Sequence, residues 1–254
     1  MIRDLEMLTR RGWIDKLRPI MRESHLDETD KASFVSVLKS FRQWGKHADG
    51  SEIKPEYDAK LSEWIEELRP TSFHARLVES VGEGASGHFG REKEWEQELD
   101  ELARELFADR SIFNSEIEWL TSEGANGALE FESRLGLLDA SASLLPDILN
   151  ASRNRAIAFI RGYVGGLVYG AKIDPTPINE CLDRLETEDP LLACQIALAG
   201  GGRLSVFERS VREIRSSRIS PYFLRNFTYW VGDQRVTEAQ VVEALVPAYA
   251  PRRQ

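Results

Sequence analysis

The chain has 254 residues, 42% hydrophobic and 30% charged, with a formal net charge of −9. That balance excludes an intrinsically disordered chain and argues against nucleic acid or an anionic membrane as a partner of the surface as a whole. No apolar run reaches the roughly eighteen residues of a membrane span, MIRDLEMLTRRGW lacks a signal-peptide core, and Cys181 and Cys194 are too few for a disulfide framework, so an acidic, cytoplasmic protein with two buried thiols and no membrane partner is expected.

Taken in order, residues 2–8 and 13–21 read as two helical pieces broken near Gly12. Asp27 or Asp30 can cap the next helix, whose stripe is Phe34, Val37, Leu38, Phe41 and Trp44, ending by Gly45. Pro55 opens another, with Tyr57, Leu61, Trp64, Ile65 and Leu68 on its apolar face, and Pro70 stops it. Thr71 or Ser72 restarts a short helix through Phe73, Leu77 and Val81. The glycine-rich GEGASGHFG, Gly82 to Gly90, separates an N-terminal helical block (1–81) from a C-terminal one (91–254).

An acidic helix follows, from about Arg91 to Ala108, with Trp95, Leu99, Leu102 and Leu106 as a narrow apolar stripe. Ser111 begins the next helix, and another spans about Ala125 to Leu138. No run alternates apolar and polar residues with β-branched side chains, so no sheet is expected.

The stretch Asn154–Gly170 reads as one helix with two buried faces. Ala156, Ile157, Ile160, Tyr163, Val164, Leu167 and Val168 form a wide stripe, and Ala158, Gly162, Gly165 and Gly166 form a face of small residues with Tyr169 at its end. Each interior glycine costs a helix about 1 kcal/mol relative to alanine, so a neighbouring helix is expected close against that face. This helix is placed at the centre of the fold.

The C-terminal half carries a weak internal repeat. SLLPDIL from Ser143, TPINECL from Thr176, SVFERSV from Ser205 and TEAQVVE from Thr237 each follow a turn, at a period of about 31 residues. Second helices open with Asp189-Pro190 and Ser220-Pro221. Two helices per unit predict an all-α solenoid of stacked antiparallel helix pairs, about twelve to fourteen helices in all.

This period and pairing resemble HEAT-type α-solenoids. RPTSFHARLVESVG from Arg69, EWL at Glu118, SRLGLLD from Ser133 and RGYVGGL from Arg161 also resemble the helical-repeat tails of bacterial STAND-type signalling NTPases, some of which act in defence. The resemblance implies a sensing or docking role, with a protein partner or covalently linked domains of a larger protein.

Candidate chemistry is sparse. Gly82, Gly84 and Gly87 spell GxGxxG, but a phosphate cradle needs a strand before the loop, and here a helix precedes it. Of His25, His47, His74 and His88, no two stand one helical turn apart, so no metal site is expected. Glu92, Glu94, Glu96, Glu98, Asp100, Glu101 and Glu105 read as a solvated helix face. Neither a catalytic residue nor a cofactor site is assigned.

One basic region stands out between Arg203 and Arg225. Arg209, Arg212, Arg215 and Arg218 recur every third residue, and Arg225 follows with Tyr222, Phe223, Tyr229 and Trp230. This composition suits an acidic protein segment or a nucleic acid. The favoured reading is a non-enzymatic interaction or sensing module. The alternatives are a nucleic-acid-binding helical-repeat protein using these arginines, and an enzyme with scattered site residues.

Overall fold

A computed structural model describes residues 18–19, 25–44, 55–82, 92–125, 129–152, 157–227, 237 and 239. The helix expected over 2–8, nearly all of that over 13–21, the glycine loop after Gly82 and the body of the last repeat lie outside these residues. Among the described residues every regular element is helical and there is no strand. No described helix is long and apolar enough to cross a membrane. The chain forms two compact units, Met1–Phe131 and Glu132–Gln254.

In the first unit, α1 (Glu28–Trp44) is capped by Asp27, whose Oδ1 accepts from Asp30 N at 2.7 Å. Pro55 opens α2 (Pro55–Glu67), where a missing N–H costs nothing. Val35 and Leu38 of α1 close on Leu61, Trp64, Ile65 and Leu68 to form one apolar cluster. Ser72 caps α3 (Phe73–Val81), which packs along α1. The Glu28 carboxylate ties the start of α1 to that cap, accepting from Thr71 N at 2.6 Å and Ser72 N at 3.3 Å. Lys31 first, then these donors, hold its carboxyl down at about 2.

The acidic helix, α4 (Glu92–Ala108), buries Leu99, Leu102, Ala103 and Leu106 and exposes Glu96, Glu101 and Glu105. α5 (Arg110–Leu120) starts one residue before the expected Ser111, because Asp109 is the cap, accepting from Ser111 N at 2.8 Å. A 3-10 turn covers Glu123–Ala125, so α6 (Leu129–Leu138) begins later than expected.

In the second unit, Asp139 joins α6 to α7 (Leu145–Ser152). Its carboxylate accepts from Ser143 N at 2.9 Å, Leu144 N at 2.8 Å and the buried Tyr163 hydroxyl at 2.6 Å. Burial pushes its pKa up, but the Tyr163, Leu144 and Ser143 hydrogen bonds outweigh that and hold it low.

Tyr163 lies on α8 (Ala158–Gly165), which the chain continues as a π-helical turn, Gly166–Gly170. The single regular helix expected over Asn154–Gly170 is therefore corrected: its last five residues are wound wider, and residues 154–156 lie outside the description. Ala171 N donates to Gly166 O at 2.9 Å, and Arg203 Nη1 satisfies Val168 O at 2.7 Å.

The close neighbour expected on the glycine face is α6. A Cβ on Gly166 would meet Ser133 O at 2.1 Å, and one on Gly162 would meet the Glu132 side chain at 2.1 Å. Gly165 is the exception, since nothing lies within 4 Å of a Cβ there. Ala158 and Tyr169 are exposed too, so part of the expected small-residue face is open.

α9 (Thr176–Glu188) and α10 (Pro190–Gly200) pair through the cap Asp189, which accepts from Leu192 N at 2.9 Å. α10 is apolar nearly all round and packs against α8, α9 and α11 (Val206–Arg215). Ser205 does not cap α11 as the repeat suggested; its φ of 49° makes it a left-handed hinge with no side-chain cap bond. The helix expected at Ser220-Pro221 is a 3-10 segment, Pro221–Phe227, whose Phe227 ring packs edge-on to Phe207 at 5.4 Å. Cys194 is buried in α10, whereas Cys181 is only half-buried, which corrects the expectation of two buried thiols.

Candidate functional site

Three residues of α9 face α11. Asn179, Asp183 and Glu186 are spaced i, i+4, i+7, which places them on one side of a helix. From α11 come Arg209, Arg212 and Glu213, and from the turn after it Arg218. Glu186, Arg209 and Glu213 are buried, at 4%, 4% and 0% exposure.

Glu186 is the hub. Arg209 Nη1 donates to its Oε2 at 2.6 Å, and Arg212 donates to its Oε1 from Nε at 2.9 Å and Nη2 at 2.6 Å. Arg209 also reaches Asp183 at 2.6 Å, Asn179 Oδ1 at 3.1 Å and Leu204 O at 3.2 Å. Arg218 donates to Glu213 Oε1 at 2.7 Å and to Glu186 O at 3.1 Å. Glu213 Oε2 lies 2.5 Å from Arg218 Nε but off the donor direction, so it has no well-formed hydrogen bond.

The two glutamates differ. Burial drives the Glu186 pKa up, but hydrogen bonds with the Glu213 carboxyl, Arg212 and Arg209 bring it below the usual range. Burial and the neighbouring Glu186 push Glu213 up. Hydrogen bonding to Glu186 strengthens the hold of Arg212 on its proton. Cys194 faces the same charges, and burial raises its thiol to about 11.

Beyond this cluster the 3-10 segment presents an aromatic and basic surface. Tyr222 is 68% exposed and Leu191 45%. The Arg225 guanidinium sits 4.5 Å from the Tyr222 ring centroid. Between them is a groove of about 300 Å³, lined by Leu191, Arg218, Ile219, Tyr222, Phe223 and Arg225 among others.

The arginines expected on one face are thus divided. Arg209 is inside, Arg212 and Arg218 are half engaged with carboxylates, and Arg215 and Arg225 are exposed. Tyr229 and Trp230 lie outside the described residues. Glu186, Asp183 and Asn179 had not been singled out from sequence; their i, i+4, i+7 spacing was the available signal.

Of the histidines, His25 is exposed, and His47 and His88 lie outside the described residues. His74 Nδ1 meets the buried Glu116 at 2.6 Å, with the ring edge-on to Trp119 at 5.5 Å. Among the described residues no group of three or more His, Cys, Asp or Glu side chains is placed to hold a metal ion.

No family model, curated protein or solved structure matches the chain.

Proposed function

We propose that the chain is a non-enzymatic protein-interaction or sensing module, and that the groove beside Tyr222 docks an acidic segment of a protein partner. The observation that carries this reading is the exposed Tyr222 ring under the Arg225 guanidinium at the mouth of an apolar groove. Tyrosine and arginine dominate interface energetics because each combines a large contact area with directional polar contacts. Arg225 supplies the charge complement to an acidic ligand, beside Arg218, whose guanidinium is already held by Glu213 and the Glu186 carbonyl.

A HEAT-type stack of helix pairs belongs to the same proposal. It is supported by the α9–α10 pair, by α10 packing on both α8 and α11, and by the Arg209 and Arg212 bridges from α11 back to α9. Stacked pairs present extended surfaces built from successive repeats. A role in the recognition part of a bacterial signalling or defence system belongs to the same proposal and rests on the likeness of the sequence to STAND-type tails.

The test is affinity capture from the native lysate, before and after nuclease, with the wild-type chain and with Tyr222→Ala/Arg225→Glu. A protein retained by the wild type after nuclease and lost by the variant supports docking at this groove. Retention unchanged in the variant overturns it. Material that disappears on nuclease treatment points instead to nucleic acid, with the salt dependence such binding shows.

A further inference from the structure

We propose that the groove beside Tyr222 receives one large apolar side chain with a single carboxylate next to it, carried on a short peptide segment, and not a run of acidic residues. This rests on the docking reading and narrows the chemistry of the partner. The floor of the groove is apolar, with Ile219 at 7% and Phe223 at 8% exposure. Its two apolar walls come from different elements, Leu191 from the start of α10 and Tyr222 from the 3-10 segment. A volume of about 300 Å³ is at the small end of ligand sites and admits a side chain, whereas a helix about 10–12 Å across is too wide for it.

The floor is fixed before a ligand arrives. Phe223 N donates to Ser220 O at 3.0 Å, and Asn226 Nδ2 donates to Phe223 O at 2.8 Å. The Phe223 ring meets Phe227 at 6.3 Å and 65°, and Phe227 in turn packs on Phe207. A site ordered in this way loses little entropy when it is filled.

Charge sets the second requirement. Arg218 lies in the wall, but Nε and Nη2 face the Glu213 carboxylate and Nη1 donates to the Glu186 carbonyl. Arg225 is the exposed guanidinium of the lining, stacked over the Tyr222 ring. Its planar donor fork matches one carboxylate. Further carboxylates on the ligand gain no second fork here and are opposed by the net charge of −9 on the chain. The apolar side chain therefore supplies contact area, and one carboxylate at Arg225 supplies direction.

The experiment titrates the 15N-labelled full chain with a capped Gly-Ser-Phe-Glu-Ser-Gly peptide and follows the Leu191, Tyr222 and Phe223 amides by NMR. The expected result is saturable shifts at these amides, with affinity about tenfold weaker when the peptide phenylalanine becomes alanine and about tenfold weaker when its glutamate becomes glutamine. In the Arg225→Gln chain the preference for glutamate over glutamine is expected to vanish, while the preference for phenylalanine over alanine stays. A peptide of four glutamates without an apolar residue that binds as tightly overturns the proposal. So does a glutamine peptide as tight as the glutamate one, or the absence of shifts at these amides at millimolar peptide. If one of these results stands beside a protein captured from the lysate and lost by Tyr222→Ala/Arg225→Glu, the docking reading survives and only the ligand chemistry is overturned. If the anchored peptide binds as expected and the lysate yields no protein, the ligand chemistry is supported and the partner reading fails.

Discussion

Gly136 on α6 lies so close to Tyr163 on α8 that a methyl group on its Cα would stand 2.1 Å from the Tyr163 carbonyl oxygen. The atom in the way is backbone, so no rotamer change relieves the clash. Gly166 meets Ser133 O at the same distance from the other side, and the two helices cross backbone to backbone. Gly136→Ala and Gly166→Ala are expected to destabilise by about 1–3 kcal/mol or more, as overpacking does in ordinary cores. Gly165→Ala is the control. With nothing within 4 Å, it is expected to stabilise by about 0.5–1 kcal/mol through helix propensity. Denaturant midpoints for the three variants separate these outcomes, and equal midpoints for Gly136→Ala and Gly165→Ala contradict the crossing.

The Asp139 carboxylate replaces the helical partners that the start of α7 lacks and anchors the Tyr163 hydroxyl. Asp139→Asn keeps the shape but loses charge-assisted acceptance and is expected to cost about 1.5–3 kcal/mol. Tyr163→Phe removes one partner and is expected to cost about 1–2 kcal/mol. Because the native pKa of Asp139 is lowered, its contribution is present above the unfolded aspartate value and is lost as pH falls through the native one. Stability curves of wild type and Asp139→Asn should therefore converge in acid. Curves that stay parallel would mean the group is not ionised in the fold.

Removing Arg209 leaves Glu186 buried with one of its two arginines missing. Arg209→Ala is expected to cost about 3–5 kcal/mol, the scale for breaking a buried pair from one side. Arg215→Ala, on the exposed side of the same helix, is expected to change stability by less than about 0.5 kcal/mol. Thermal unfolding of both variants checks the division of the arginines into interior and surface.

The cysteines give a simple chemical check. Cys194 is fully buried and its thiol is raised to about 11, so it holds almost no thiolate near neutral pH. Cys181 is half-buried, with Arg184 Nη2 at 3.3 Å from its sulfur. A maleimide reagent at neutral pH is expected to label Cys181 first and Cys194 only on unfolding. Equal labelling of the two in the folded chain would contradict the placement of α10.

Local signals carried most of the helix boundaries. Asp27, Pro55, Ser72 and Asp189-Pro190 mark starts through capping and missing N–H groups, which depend on a few neighbouring residues. The crossing at Gly162 and Gly166 was also legible, because glycines in a helix need a reason. Its partner, Gly136, was not, since a single glycine in SRLGLLD carries no such weight. The π-helical turn escaped because the apolar pattern through Leu167 and Val168 continues unbroken. The arginine spacing suggested a solvated stripe. What draws Arg209 inward is Glu186, on a different helix, and no local period reports a contact between helices.

Arg218 belongs to two structures at once. It lines the groove beside Tyr222, and it is the counter-charge of Glu213. Its Nε and Nη2 lie on the Glu213 carboxylate and its Nη1 on the Glu186 carbonyl, so a change at Arg218 acts on the wall of the groove and on a buried carboxylate together, and a substitution there is read with a melting curve beside any binding curve.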